Sequence, residues 1–492
     1  MSRALWLCAG LAVLGCATGS AIVPAAELGE AGGTPSISAV EDRGGGDIQA
    51  SGSLPSVAGD GRATIGEVVL IRGRNFGRQP TVNIGGQAAT VVSRIDDGGI
   101  LTRVPAGAAG GRQVVSVTTE YGRGEALVAV QRLAVARVGD QLSWIELPTD
   151  DKKGGPTRVG EITIAGLRAI AVSSDGRAAY AVDGNGTLQV FELPGLRGPT
   201  ARGKLSLPTP VRALLAPTGG RQLYVVGADD IIEIDTRAPL VPVILAKRPL
   251  PNAARGTKPI HAAASPDGRR LAFAIERNRI LVADVAELRT GHEPVVAELG
   301  VVTSTLAPVI ADMTFSPDGE TVWIASGVTA ENRSFGPQPT LVHAVRVSEP
   351  ASPPGPVGLV AARTVKVGEA TLPQAIATGQ STPLASGAAI RLPPERATVH
   401  LAAYGIDGSP RVFSIGADDV ATPALVEKPQ SFISRPEVSS DEAWMLALCG
   451  DAGGAWRLVA LRLKGGEMKS IDLGPGAARP TNASAVGVKV QP

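Results

Sequence analysis

The chain has 492 residues, with 61 Gly, 38 Pro and an aromatic content of only 3%. It is too long for one ordinary core, and its 44% apolar content is too high for a disordered chain. Lys and Arg number 47 against 46 Asp and Glu, so no basic surplus exists to neutralise a phosphate backbone, and nucleic acid is excluded as a partner. The Gly and Pro surplus predicts many turns, hence many short strands and an all-β fold class.

The first element in chain order is an apolar run, Ala4 to Leu14, behind Arg3. It is too short to span a bilayer and has the length of a secretory h-region. It ends in VLGC, Val13 to Cys16, which resembles the lipobox of bacterial lipoproteins. That resemblance implies a signal peptide over 1–16, with Cys16 diacylated as the mature N-terminus. Ala17 behind it then implies sorting to the outer membrane, with the folded part facing periplasm or surface. The other reading is an ordinary signal peptide cut near Ala17 or Ser20. Residues 17–34 are rich in Gly, Ala and Ser without apolar periodicity and read as a flexible tether. Cys8 lies in the signal region and Cys16 at its end, so Cys449 is the one cysteine of the body of the chain and cannot form an internal disulfide. Its setting, AWMLALCG, predicts a buried small apolar residue; a nucleophilic role would need a His partner, and none is near in sequence.

Residues 35–130 predict a small antiparallel sandwich. Alternating runs at Val68 to Ile71, Thr81 to Ile84, Ala89 to Val92 and Gln113 to Thr118 are separated by Gly and Pro. Gly73-Arg74-Asn75-Phe76-Gly77, then Val82-x-Ile84-Gly85-Gly86, Val104-Pro105 and Gly110-Gly111 resemble the immunoglobulin-like IPT/TIG domain. In that pattern Asn75 and Gly77 would hold a tight turn, Phe76 would cap the core and Gly85-Gly86 would form a hairpin turn.

Residues 131–492 carry a repeat. SSDGRAAYAVDGNGTLQVFEL begins at 173, APTGGRQLYVVGADDIIEIDT at 216, SPDGRRLAFAIERNRILVADV at 265 and SPDGETVWIAS at 316. Looser copies begin at 392 and 439, and the spacing is about 43 to 51 residues with one interval near 76. Such a period with several strands per unit marks a β-propeller. In each copy Pro and Asp-Gly make a tight turn, the apolar run behind it is a strand buried on both faces, and a second turn leads to a third strand. RLAVARVGDQLSWIEL, at 132 to 147, supplies outer strands without a turn of its own, and ASAVGVKV, at 483 to 490, could return as its missing strand. Closure by both ends removes the open edge and predicts seven blades, with six or eight as alternatives. The repeats resemble the YVTN, lactonase-like and WD40-like propellers in turn and strand pattern. Two Pro- and Gly-rich insertions, 326–340 and 348–358, are predicted surface loops, either a binding rim or plain length variation.

Catalytic motifs are scarce. The four His (His261, His292, His343, His400) form no HxH or HExxH, there is no CxxC, and no GxSxG occurs. No metal or other cofactor is predicted. Acidic pairs at DDGG and GADD could serve calcium but fit solvated turns. One constellation remains. The residue four places before each turn's first residue is Ala169, Arg212, His261, Asp312 and Arg435 in the repeats at 173, 216, 265, 316 and 439. In a propeller these positions converge near the axis, so Arg212, His261, Asp312 and Arg435 are the candidate funnel residues, for a ligand or for mutual salt bridges. One acid and one His among arginines is a poor catalytic set. The expectation is a non-catalytic, envelope-anchored binding or scaffold lipoprotein, with an envelope or surface protein as partner and the N-terminal lipid in the membrane. The alternative is a periplasmic lactonase-like hydrolase that uses the funnel.

Overall fold

The structure, a computed structural model, describes residues 33–42, 62–96, 98–149, 154–193, 199–252, 254, 261–275, 278–290, 295–298, 309–327, 340–348, 358–367, 370–378, 398–405, 409–415, 421–427, 432–439, 441, 443–451, 453–463, 466–475 and 486–491. The signal segment, Cys16, the tether to residue 32, the turn at 392 and most of both insertions lie outside them. The insertion ends that are described do not form loops. Ser326 and Gly327 finish one strand, and Thr340 starts the next with its side chain buried. The one helix among the described residues, Val285–Thr290, was not expected; the Asp284 carboxylate accepts the Ala286 N–H at its start (2.7 Å).

The N-terminal sandwich has two sheets. One orders Ser36–Asp42, Val68–Arg74, Gly99–Arg103 and Val91–Asp96; the other orders Arg62–Thr64, Gly122–Gln131, Gly111–Thr119, Thr81–Ile84 and Gln87–Ala89. The expected single run Ala89 to Val92 is in fact a crossing, because Ala89 ends a strand in one sheet and Val91 starts one in the other. Ile65, Val69, Ile71, Ile84 and Val115 fill the space between the sheets, with Phe76 fully buried among them. The Gly73–Gly77 turn has a steric basis. A Cβ on Gly73 would sit 2.0 Å from the Ser36 carbonyl, and Asn75 and Gly77 have φ of 60° and 58°, where short polar side chains and glycine are tolerated. Asn75 Nδ2 donates to the Thr34 carbonyl (3.2 Å), so the last residue of the expected tether is fastened to the sandwich.

Seven further sheets follow among the described residues, and six of them have the four-stranded up-and-down order of a propeller blade. The seventh splits its innermost strand into Phe432–Ile433 and Glu437–Val438. Blade 1 is composite. Val486–Val490 from the C-terminus is its innermost strand, beside Leu133–Val138, Gln141–Glu146 and Thr157–Thr163. The innermost strands of blades 2 to 6 are Ala169–Val172, Ala213–Leu215, His261–Ala264, Val309–Phe315 and Ala370–Thr378. Each touches the next, and Val486–Val490 touches both blade 2 and blade 7. The second strand of a blade packs on both sides: in Arg270–Ile275, Ala272 and Ala274 face blade 5 while Leu271 and Phe273 face blade 3. This two-sided burial explains the nearly continuous apolar spelling behind each turn.

The repeated turn is a hydrogen-bonded device. In the 265 copy Ser265 Oγ donates to Asp267 Oδ1 (2.6 Å) and accepts the Arg270 N–H (2.9 Å), while Asp267 Oδ1 also accepts the Arg269 N–H (3.0 Å). Ser173 with Asp175, Ser316 with Asp318 and Ser439 with Asp441 repeat the arrangement. Gly176, Gly268 and Gly319 have φ near 71°, the left-handed geometry that the turn demands.

Blade 1 has no such turn, because its first two strands come from opposite ends of the chain. Gln491 stands in for the missing Ser: its N–H bonds to the Leu133 carbonyl (2.9 Å), and its Oε1 accepts the Leu133 N–H (2.7 Å). Its Nε2 donates to Ile65 of the sandwich (3.1 Å) and to Gly176 in the turn of blade 2 (2.7 Å). Arg132 is buried beside it, donating to the carbonyls of Gln491 (3.1 Å) and Ala108 (2.7 Å), and Asp441 of blade 7 accepts the Gly110 N–H (3.3 Å). The sandwich is therefore docked on the turn side of the propeller, at the seam where blades 7, 1 and 2 meet.

Candidate functional site

The sandwich docks on the turn side, and the innermost strands begin at the opposite mouth of the ring. Four residues before the turn, His261 opens the innermost strand of blade 4 and Asp312 lies in that of blade 5, behind a bulge after Ile310. Arg435 projects from the break in the innermost strand of blade 7. The structure brings these three together. Asp312 is buried at 8% side-chain exposure, with His261 Nδ1 at 3.8 Å and Arg435 Nη1 at 3.5 Å from the same oxygen. Arg435 Nη2 also reaches the Met313 carbonyl (3.4 Å), while its Nε is buried without a hydrogen-bond partner among the described residues. Burial lowers the His261 pKa; Asp312 opposes that shift and Arg435 adds to it, so the imidazole is neutral at pH 7.

Arg212, the fourth candidate, is placed differently. It precedes the innermost strand of blade 3 at the same turn offset, but its side chain is exposed and makes no ion pair among the described residues. Three of the four candidates, His261, Asp312 and Arg435, come into contact, and Arg212 forms no ion pair with them among the described residues. Ala169 holds the same offset in blade 2. Deeper in the channel Lys489 of blade 1 and Glu437 of blade 7 form an ion pair at 3.1 Å. Sequence reading missed this pair because blade 1 lacks the turn from which positions were counted.

Two of the four His named from sequence are buried against hydroxyl groups. His343 Nε2 lies 2.8 Å from Ser326 Oγ and its Nδ1 lies 3.1 Å from Thr364 Oγ1, while His400 Nδ1 lies 2.9 Å from Ser414 Oγ. The Ser326–His343 contact has the spacing of a nucleophile and its base. Its setting argues against that use: Ser326 has no exposed surface, burial pushes the His343 pKa down to about 4, and a Thr hydroxyl occupies the place of an orienting carboxylate. Cys449 is buried as expected, and burial pushes its thiol pKa far up. Among the described residues no group of three or more His, Cys, Asp or Glu is placed to hold a metal ion.

Sequence comparison bears on the sandwich first. Residues 60–127 match the IPT/TIG domain family. No curated protein matches the chain in sequence. Among solved structures, the periplasmic gluconolactonase of Pseudomonas aeruginosa is 11% identical, with a TM-score of 0.47 over 74% of this chain and 99% of that one. A functionally unknown protein from Desulfotomaculum acetoxidans is 13% identical, with a TM-score of 0.45 over 73% of this chain and 98% of that one. A β-propeller domain from Myceliophteria thermophila is 11% identical, with a TM-score of 0.42 over 73% of this chain and 93% of that one.

Proposed function

We propose that this chain is a non-catalytic, envelope-anchored scaffold lipoprotein that binds a protein partner through the rim of its propeller and the free face of its IPT/TIG domain. One observation carries the reading. The IPT/TIG domain is hydrogen-bonded to the ring at the seam, while the only acid of the funnel set lies beside His261 and Arg435, at 3.8 and 3.5 Å. A single buried aspartate beside a guanidinium and a neutral imidazole, with no second acid in the set, suits structure better than proton transfer. The seven described sheets are, in this reading, the complete ring of blades. Cys16 carries the lipid that holds the protein to the outer membrane, and residues 17–34 give it reach.

Two measurements test this. Palmitate labelling of the wild type should vanish in Cys16→Ala; persistent labelling would remove the anchor from the proposal. Capture of an envelope protein by the mature chain should survive the double change His261→Ala, Asp312→Ala. Hydrolysis of a lactone by the wild type, lost in that double variant, would replace the scaffold with the lactonase-like hydrolase.

A further inference from the structure

We propose that the open mouth of the propeller is also a binding site for a small organic anion, gripped by Arg212 and Arg435. The inference rests on the non-catalytic reading above and adds a ligand class to it. Four features of the mouth converge on an anion.

The first is the charge at one ring level. Arg212 and Arg435 supply two permanent positive charges against one carboxylate, Asp312, at that level among the described residues, where Arg212 has no ionic partner. The second is how loosely Arg435 is held. Its contacts to Asp312 and Met313, at 3.5 and 3.4 Å, sit at the outer limit of a hydrogen bond, and its Nε has none. A guanidinium with donors to spare is suited to a two-point grip on an oxyanion.

The third feature is space. Since Gln491 replaces the turn Ser of blade 1, the residue four places before it, Gly487, is the blade 1 member of the ring level, and Ala169 is the blade 2 member. Going round from blade 7 to blade 3, the level therefore reads Arg435, Gly487, Ala169, Arg212. The two guanidinium groups border an arc that carries one methyl group and one hydrogen. The fourth feature is access: the IPT/TIG contacts lie on the turn side, and Arg212 at the opposite mouth is exposed. Asp312 with His261 offers polar contacts to the rest of such a molecule. With Arg212 exposed to solvent, the site is screened by salt and should weaken as ionic strength rises.

Calorimetric titration of the mature chain in Tris chloride with citrate, and separately with inorganic phosphate, tests the site. Saturable binding near one equivalent is expected, weaker at high NaCl. Arg212→Gln and Arg435→Gln should each weaken it at least tenfold, and Arg237→Gln, at an exposed guanidinium outside the channel, should not. Arg212 is exposed, so its variant stays folded and informative even where Arg435→Gln does not. Preference between the two probes assigns the head group as carboxylate or phosphate. Absence of saturable binding to both probes, or equal loss in the Arg237 control, overturns the site. Capture of the envelope protein is read separately, so the scaffold can stand while the anion site falls.

Discussion

Gln491 occupies the position of a turn serine without belonging to a turn. Its single amide closes blade 1 through Oε1 and ties the IPT/TIG domain and blade 2 through Nε2, with no exposed surface left. Replacing it by Ala strands one buried N–H and two buried carbonyls, each worth about 1–3 kcal/mol when orphaned. Gln491→Ala should therefore cost about 2–4 kcal/mol in denaturant unfolding, and a loss below about 0.5 kcal/mol would show that the seam does not depend on it.

His343 and His400 give the molecule an acid sensitivity. Burial holds both near pKa 4, against an ordinary 6.5, so below pH 6.5 the unfolded chain takes up protons that the folded chain refuses. Stability falls as pH drops from 6.5 towards 4. Glu67 works the other way: burial and its hydrogen bond to Asp42 raise its pKa to about 8, a stabilisation complete below 4.5 and lost as pH rises through 8. The His contribution is isolated by comparison with His343→Gln. Wild-type stability relative to that variant should fall by up to about 2 kcal/mol between pH 7.5 and 4.5. A difference that stays flat with pH would contradict it.

At the scale of elements the recurring unit is the turn and the strand behind it. Ser265→Ala removes an acceptor from the Arg270 N–H and a donor from Asp267, and should cost about 1–2 kcal/mol. Gly176→Ala should cost more. The added Cβ must adopt a φ of 71° and would lie 2.7 Å from Ile65 Cγ2, so the change strains the turn and pushes on the IPT/TIG domain together. Thermal melts of Gly176→Ala and Gly268→Ala check this: both turns share the strained φ, but only Gly176 faces Ile65, so the Gly176 variant should melt lower. These elements were legible from sequence because their causes are local. Ser, Asp and Gly fix the turn, and two-sided burial forces the apolar run. The helix Val285–Thr290 was not legible, since six residues behind a strand carry too short a pattern to show a 3.6-residue period.

For the whole molecule, closure is the feature on which the rest depends. Residues 486–490 form the innermost strand of blade 1, and Val488 and Val490 complete the apolar cluster between blades 7 and 1 with Trp444, Leu446 and Ile145. A chain ending at residue 485 should expose that cluster and the edge of Leu133–Val138. It is expected to be cleaved within the C-terminal blade by dilute protease and to associate in size-exclusion chromatography, while the full chain resists and stays dispersed. Equal resistance of both chains would mean that the ring holds without its returning strand.

Composition, the Ser-Pro-Asp-Gly repeat and the Gly73–Gly77 turn determined by themselves that this is an all-β protein with an immunoglobulin-like sandwich and a propeller. Each of those conclusions rests on steric and hydrogen-bonding rules that act within a few residues. The offset of four residues also brought His261, Asp312 and Arg435 to one place, because the repeat carries its register with it. Only the tertiary structure decided that Arg212 stays out of that cluster, that Lys489 meets Glu437 beneath it, and that Gln491 completes a turn with residues more than 350 positions away. It alone decided on which face the IPT/TIG domain sits. Such contacts join segments whose nearness exists only once the ring has closed, and no local pattern encodes them.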